Sequence, residues 1–134
     1  EGDVRMELYV GGYAQGKTDY VKRKYKGESL VVIDGETTGL GFEDADLTAQ
    51  PERVLFLHFH LWIRRLLLAE KDAAAWLHSH PDCVIVADEI GNGIVPMERA
   101  EREYRDRLGR ILISIAAESE RVERVICGIG QRLK

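Results

Sequence analysis

The chain has 134 residues, of which 45% are hydrophobic and 31% are charged, and its formal net charge is −4. This length fits one domain with a single core, so residues 1–134 are treated as one unit. A mildly acidic balance argues against a nucleic-acid or anionic-membrane surface, which would show clustered excess lysine and arginine. No apolar run reaches the roughly 18 residues of a membrane span.

The two cysteines indicate a reducing compartment. Cys83 and Cys127 lie in the apolar runs CVIVA and VICG and are interpreted as small core residues, neither a disulfide framework nor a metal pair. We therefore expect a cytoplasmic protein. Residues 1–5, which precede Met6, are interpreted as a tag or a disordered start.

The strongest local signal is residues 7–18, ELYVGGYAQGKT, in which a strand at 8–10 runs into a glycine-rich loop and then a helix. The stretch satisfies G-x-x-x-x-G-K-[ST], the phosphate-binding loop pattern. The alternative is a glycine-rich turn that binds nothing. The predicted nucleotide-binding residues are Gly11, Gly12, Tyr13, Ala14, Gln15, Gly16, Lys17 and Thr18.

The spacing of this loop matches phosphate chemistry. Glycines let backbone N–H groups wrap an anionic phosphate, and the helix that follows adds its positive dipole end. Lys17 is predicted to reach the β- and γ-phosphates as a catalytic charge, and the Thr18 hydroxyl to bind Mg²⁺. We expect ATP or GTP as the nucleotide.

The rest of the chain alternates apolar runs of strand length with helical patterns. Pro51 is expected to open a long helix, although VLFLHF alone could form a strand. A later helix carries an apolar stripe of Ala100, Tyr104, Leu108, Ile111 and Ile115. The predicted elements are a helix at 17–26, a strand at 29–33, a loop at 35–50, helices at 51–69 and 72–80, a strand at 83–87, a turn at 91–96, a helix at 97–119 and a strand at 122–127.

This order predicts an α/β fold of the P-loop NTPase type, with three α/β/α layers and a mostly parallel sheet. Ligands in such sheets bind at the carboxyl ends of strands. Asp34 and the pair Asp88-Glu89 each follow an apolar strand, so we expect them near the phosphate loop. Asp34 is predicted to hold Mg²⁺ with Thr18, Asp88 is a further candidate ligand, and Glu89 is the candidate catalytic carboxylate. The alternative is that each acid caps a turn.

The histidines form two H-x-H pairs, His58 with His60 and His78 with His80. On a helix, residues two apart point away from each other, so we do not expect either pair to chelate a metal.

From residue 82 onward the chain resembles the adenosylcobinamide kinase/adenosylcobinamide-phosphate guanylyltransferase family of cobalamin biosynthesis. The stretches that carry the resemblance are VIVADEIGNGIVPMERAEREYRDRLGR (84–110) and VICGIGQRLK (125–134). They match the family's E-x-G-x-G-I-V-P, R-x-x-R-D-x-x-G-R and closing strand. Residues 6–34 agree too, since Gly11-Gly12 matches a glycine pair at the start of the family's phosphate loop.

The resemblance implies nucleotide-dependent phosphorylation of a cobinamide-like small molecule, with Mg²⁺, in a protein that forms homo-oligomers. It places Asp34 in the acidic position of a second strand. The family's guanylyl-carrying histidine, in an R-I-x-x-H-x-x-x-R motif, has no counterpart in this sequence, and the segment for it is missing between the first helix and SLVVID. Other departures are Asp88-Glu89 for Asn-Glu and apolar Leu112-Ile113 for polar residues. Two alternatives remain open: a non-catalytic nucleotide-binding paralogue with a regulatory or interaction role, and a kinase for another small alcohol.

Overall fold

The computed structural model describes residues 5–40, 53–89 and 98–134. In these ranges six strands form one sheet in the order β2-β3-β4-β1-β5-β6. The elements are β1 (Glu7–Gly11), α1 (Lys17–Lys24), β2 (Leu30–Asp34), β3 (Arg53–Leu57), α2 (Phe59–Leu68), α3 (Ala74–Ser79), β4 (Val84–Asp88), α4 (Arg99–Glu118), β5 (Arg121–Ile126) and β6 (Ile129–Arg132).

The sheet is parallel except at one edge, where β6 pairs antiparallel with β5. The predicted α/β/α fold of the P-loop type is confirmed. Its layers follow from the alternation of side chains along each strand. Val84 and Val86 of β4 pack towards α1, whereas Ile85 and Ala87 pack towards α2, α3 and α4. Because β4 is buried on both faces, its sequence is a continuous apolar run.

The predicted helix over 51–69 is wrong in its first part, because residues 53–57 form β3. This strand lies between β2 and β4, and Val54, Phe56, Leu55 and Leu57 are buried on its two faces. A short apolar run buried on both faces has no period that separates strand from helix. Together with β4, this strand therefore lies between β2, which ends at Asp34, and β1, which leads into the phosphate loop.

The carboxyl terminus also differs from the sequence prediction. Residues 129–132 form β6 after a turn in which Cys127 and Gly128 both have positive φ, 51° and 75°. Cys83 is buried as predicted, but the prediction for Cys127 is wrong because this turn exposes it. Strand β5 therefore ends at Ile126, one residue before the end of the strand predicted at 122–127.

Thiol labelling should separate the two cysteines. Burial raises the pKa of the Cys83 thiol to about 12, whereas Cys127 is exposed. Since the thiolate is the reactive form, we expect an aromatic disulfide reagent to modify one thiol per native chain, at Cys127, and two in urea. Mass spectrometry of the labelled peptides identifies the site, and rapid labelling of native Cys83 would contradict the packing described.

Helix α1, which follows the phosphate loop, is held against β5 of the sheet by hydrogen bonds to a buried carboxylate. Glu123 of β5 is 1% exposed and accepts hydrogen bonds from Tyr20 at 2.5 Å, Lys24 at 3.1 Å and Arg121. Burial raises the pKa of Glu123, but these three donors lower it more, so that the group stays ionised. Two of the donors belong to α1, so this network fixes the helix that carries Lys17.

Some predictions fall outside the described residues, namely residues 1–4, most of the loop at 35–50, Pro51, the turn at 91–96 and Met97. Arg5 is described, and its carbonyl accepts a hydrogen bond from Arg53. Within the described ranges, we find no helix with both the length and the apolar character that crossing a membrane would require.

Candidate functional site: a cavity at the phosphate loop

The register of two neighbouring strands brings the phosphate loop and an acid together. Gly11 at the end of β1 lies opposite Asp88 at the end of β4. Lys17 follows the loop, and its Nζ lies 2.6 Å from Asp88 Oδ1. Parallel strands end at the same edge of a sheet, which is where this class of fold places ligands.

The loop itself has a conformation that its glycines permit. Gly16 has φ 82°, in the left-handed region that glycine adopts readily, and the non-glycine residue Ala14 has φ 60° in the same region. A Cβ on Gly11 would lie 2.4 Å from the Val125 carbonyl oxygen, so this position takes only glycine. The Gln15 carbonyl accepts a hydrogen bond from the Gly128 N–H at 2.8 Å, which ties the loop to the β5–β6 turn.

Lys17 is held inside this loop. The residue is 7% exposed, and its ammonium donates to the Gly12 carbonyl at 2.8 Å as well as pairing with Asp88. A buried ammonium needs such oxygens, since an unpaired charge would be costly there. The charge is therefore fixed beside the loop backbone rather than free in solvent.

His60 supports Asp88 from the other side. The Asp88 N–H donates to His60 Nδ1 at 3.0 Å, so the proton of the neutral ring is on Nε2. That Nε2 lies 3.3 Å from Asp88 Oδ2. The backbone at His60 is held by α4, because the Tyr104 hydroxyl donates to the His60 carbonyl at 2.9 Å. Asp88 thus lies between His60 and Lys17 and is held by both.

This arrangement predicts a pH dependence of stability. Burial lowers the pKa of His60 below its ordinary value of 6.5, and the Asp88 carboxylate opposes this only in part. Below pH 6.5 the unfolded chain therefore binds a proton that the folded chain does not, and stability falls on acidification. The slope from this group is at most about 1.4 kcal/mol per pH unit. Urea titrations between pH 7 and 5 should show a smaller slope in His60→Gln.

The matched control for this titration is His78→Gln, because His78 is exposed on α3. This variant should keep the slope of the unmodified protein. An unchanged slope in His60→Gln would mean that another group causes the acid sensitivity.

A second polar group lies further along the same edge. Asp34 Oδ1 accepts the Glu36 N–H at 2.9 Å and lies 3.0 Å from His58 Nδ1. Partial burial raises the pKa of Asp34, but the hydrogen bonds from Glu36 and His58 lower it overall. One donor atom from each of these three residues lies within 4.8 Å of the others.

One cavity of about 590 Å³ is lined both by Lys17 and Asp88 and by Glu36 and His58. This volume is in the range of small-molecule sites. Its described lining residues are Tyr13, Ala14, Gly16, Lys17, Thr18, Asp19, Glu36, His58, His60, Leu61, Val86, Ala87 and Asp88.

The structure brings some of the predicted site residues together and separates others. Half of the loop (Tyr13, Ala14 and Gly16) lines the cavity together with Lys17, Thr18 and Asp88, whereas Gly11, Gly12 and Gln15 are not among its described lining residues. Asp34 does not lie beside Thr18, because β3 and β4 separate its strand from β1. Glu89 is not among the described lining residues, and its carboxylate pairs with Arg124 at 2.7 and 3.3 Å.

His58, His60 and Glu36 are the site residues that the sequence reasoning missed. The expectation that His58 and His60 both lie within a helix was wrong. His58 is the residue before α2, with φ 53°, and His60 lies in the first turn of α2. The signal was present in VLFLHFH, where an apolar strand runs directly into two histidines. Recognition of β3 would have placed both at the carboxyl edge of the sheet.

The fold and site define an α/β protein of the P-loop type, with a lysine-bearing loop next to a strand-terminal carboxylate. The comparison with family models is more specific, since residues 44–133 match the model for cobinamide kinase / cobinamide phosphate guanyltransferase (CobU). The match spans more than half of the chain, and the chain belongs to this family. The resemblance inferred from its carboxyl half is confirmed.

Two curated relatives match over a shorter stretch. Both are named bifunctional adenosylcobalamin biosynthesis protein CobU, one from Salmonella typhimurium strain LT2 and one from Escherichia coli strain K12. Each is 43% identical over 51 residues, which is 38% of this chain and 28% of the relative. The aligned stretch thus spans less than a third of either relative. The family match begins after the phosphate loop, so the assignment of that loop depends on its pattern and geometry.

Proposed function

We propose that the chain binds ATP or GTP in this cavity and transfers the γ-phosphate to a hydroxyl of a cobinamide-like acceptor, as a step of cobalamin biosynthesis. The observation that carries the proposal is the fixed Lys17 ammonium between the loop backbone and Asp88. Family membership and the names of the two relatives support the choice of acceptor.

The residues have separate tasks in this proposal. The loop amides and the first turn of α1 bind the nucleotide phosphates, and Lys17 stabilises the negative charge on the transferring group. The acceptor oxygen forms the new bond to the γ-phosphorus, the bond to the β-phosphate oxygen breaks, and a nucleoside diphosphate leaves. The acceptor's proton passes to a carboxylate, for which Glu89 remains the predicted residue once it separates from Arg124.

The donor set also fits Mg²⁺. The Thr18 hydroxyl and the Asp88 carboxylate both line the cavity, and both are the hard oxygen donors that Mg²⁺ prefers. When bound, the ion supplies charge neutralisation on the phosphate oxygens. Strand order favours Asp88 over Asp34 for this role. Guanylyl transfer is not included in the proposal, because the sequence has no histidine in the matching motif.

A second candidate is a nucleotide-binding protein without catalysis, with a regulatory or interaction role. The observation that favours it is the ion pair between Glu89 and Arg124, because the predicted catalytic carboxylate is already paired with a cation. Both candidates require nucleotide binding, so turnover separates them.

The test is an assay of purified protein with Mg²⁺ and ATP or GTP, with and without adenosylcobinamide. Phosphorylated product is followed by chromatography, and nucleotide binding by the rise in melting temperature. We expect product only when the acceptor is present. A thermal shift without product would support the non-catalytic candidate, and absence of both would contradict nucleotide binding itself.

A further inference from the structure

We propose that Asp34, Glu36 and His58 form a binding site for one divalent transition-metal ion, separate from the Mg²⁺ position at the phosphate loop. The three side chains offer two carboxylates and one imidazole, with donor atoms within 4.8 Å of one another. Imidazole with carboxylate ligands suits Zn²⁺, Co²⁺, Mn²⁺ or Fe²⁺, whereas Mg²⁺ prefers oxygen ligands alone.

The separation of the donors is already close to that of ligands on one ion. Asp34 Oδ1 and His58 Nδ1 lie 3.0 Å apart. Two ligands at about 2.1 Å from a metal, at right angles or tetrahedral, are about 3.0 to 3.4 Å apart. The third donor, Glu36, is exposed and follows Asp34 by two residues, so its carboxylate can approach through side-chain rotation alone.

The backbone around the cluster is fixed by contacts that do not involve the three side chains. The Gly35 N–H donates to the Leu57 carbonyl at 2.7 Å, which joins the ends of β2 and β3. Arg65 of α2 donates to the Gly35 carbonyl at 2.9 Å, and Trp62 donates to the Gly39 carbonyl at 2.9 Å. The metal site would therefore be held by two strand ends and one helix.

The cluster is accessible from the cavity. The side chains of Asp34 and His58 are 38% and 42% exposed, and Glu36 and His58 line the same cavity as Lys17. An ion can reach the cluster from the cavity. Three protein ligands leave at least one coordination position open, which would take water or an anionic oxygen of a ligand in the cavity.

The site is tested by titrating Co²⁺ alone into nucleotide-free protein and measuring binding by calorimetry and visible absorption. We expect one ion per chain and a spectrum with nitrogen ligation. His58→Gly and Glu36→Gln should each weaken the affinity by at least about 10-fold. Glycine suits position 58 because its φ is 53°, so this variant removes the ligand without straining the fold.

Two further variants keep the test specific. His78→Gln removes an exposed histidine of α3 and should leave the Co²⁺ affinity unchanged. Thr18→Val removes the hydroxyl proposed for Mg²⁺ and should also leave it unchanged. Undiminished binding in His58→Gly, or a loss in Thr18→Val, would overturn the proposal. Because nucleotide is absent, failure of this site and failure of the proposed kinase function are distinguishable.

X-ray absorption of the Zn²⁺-loaded protein provides a structural readout. We expect one nitrogen ligand at about 2.0 to 2.1 Å, from the single imidazole of the site, and loss of this contribution in His58→Gly. A spectrum with oxygen ligands only, in the unmodified protein, would contradict the assignment of His58.

Discussion

Lys17→Met is expected to reduce nucleotide affinity and any phosphate transfer by about 100-fold or more. The ammonium is the one charge that the structure fixes within the phosphate loop, at 2.8 Å from the Gly12 carbonyl and 2.6 Å from Asp88. Methionine keeps an unbranched apolar stem but offers no positive charge to the β- and γ-phosphates. Asp88 would then present an uncompensated negative charge to the anionic ligand, which adds to the loss.

The matched control is Lys22→Met, which removes a lysine from the exposed side of the same helix. Both variants change the net charge equally, so a difference between them reports position rather than overall charge. Affinity is measured by calorimetry with ATP and GTP, and turnover by chromatography of the product. Equal, small losses in the two variants would mean that the nucleotide binds elsewhere on the protein.

The glycine-rich loop after β1 and the position of Asp88 beside it could be predicted because both depend on local sequence. The loop pattern places a glycine at the positive φ of position 16 and at the close contact of position 11, and a strand-terminal acid lies at the ligand edge of any parallel sheet. Asp88 met this condition and proved to be adjacent to Lys17. Asp34 met the same condition, but adjacency also depends on strand order, which local sequence does not contain.

The strand that separates Asp34 from β4 and β1 is β3, which was predicted as part of a helix. Four of its five residues are buried, and they lie on both faces of the strand, so the run lacks the alternation that identifies a half-exposed strand; only His58 separates it from α2. The run was therefore assigned to the helix, and the two histidines with it. What could not be inferred is a tertiary fact, namely that residues 53–57 pair with β2 and β4.

The end of β2 provides the largest expected effect on stability. Gly35→Ala should destabilise the fold by about 3 kcal/mol. A Cβ at this position would lie 2.2 Å from the His58 carbonyl oxygen and 2.9 Å from Trp62 Cβ. Trp62 belongs to α2 and His58 is the residue directly before it, so neither atom can move away without shifting the helix. The substitution should also separate Asp34 from His58 and so weaken the metal site.

Gly109→Ala is the matched control, because it makes the same chemical change at a glycine within α4. A Cβ there has nothing within 4 Å, so alanine adds no clash and improves helix propensity, by up to about 1 kcal/mol. The two substitutions are thus expected to shift the urea midpoint in opposite directions, because alanine clashes at position 35 and only improves helix propensity at position 109. If Gly35→Ala were as stable as the unmodified protein, the close approach of β2 to α2 would be incorrect. The placement of Glu36 and His58 in one cavity with Lys17 depends on that approach, so this measurement also tests the architecture on which the metal site depends.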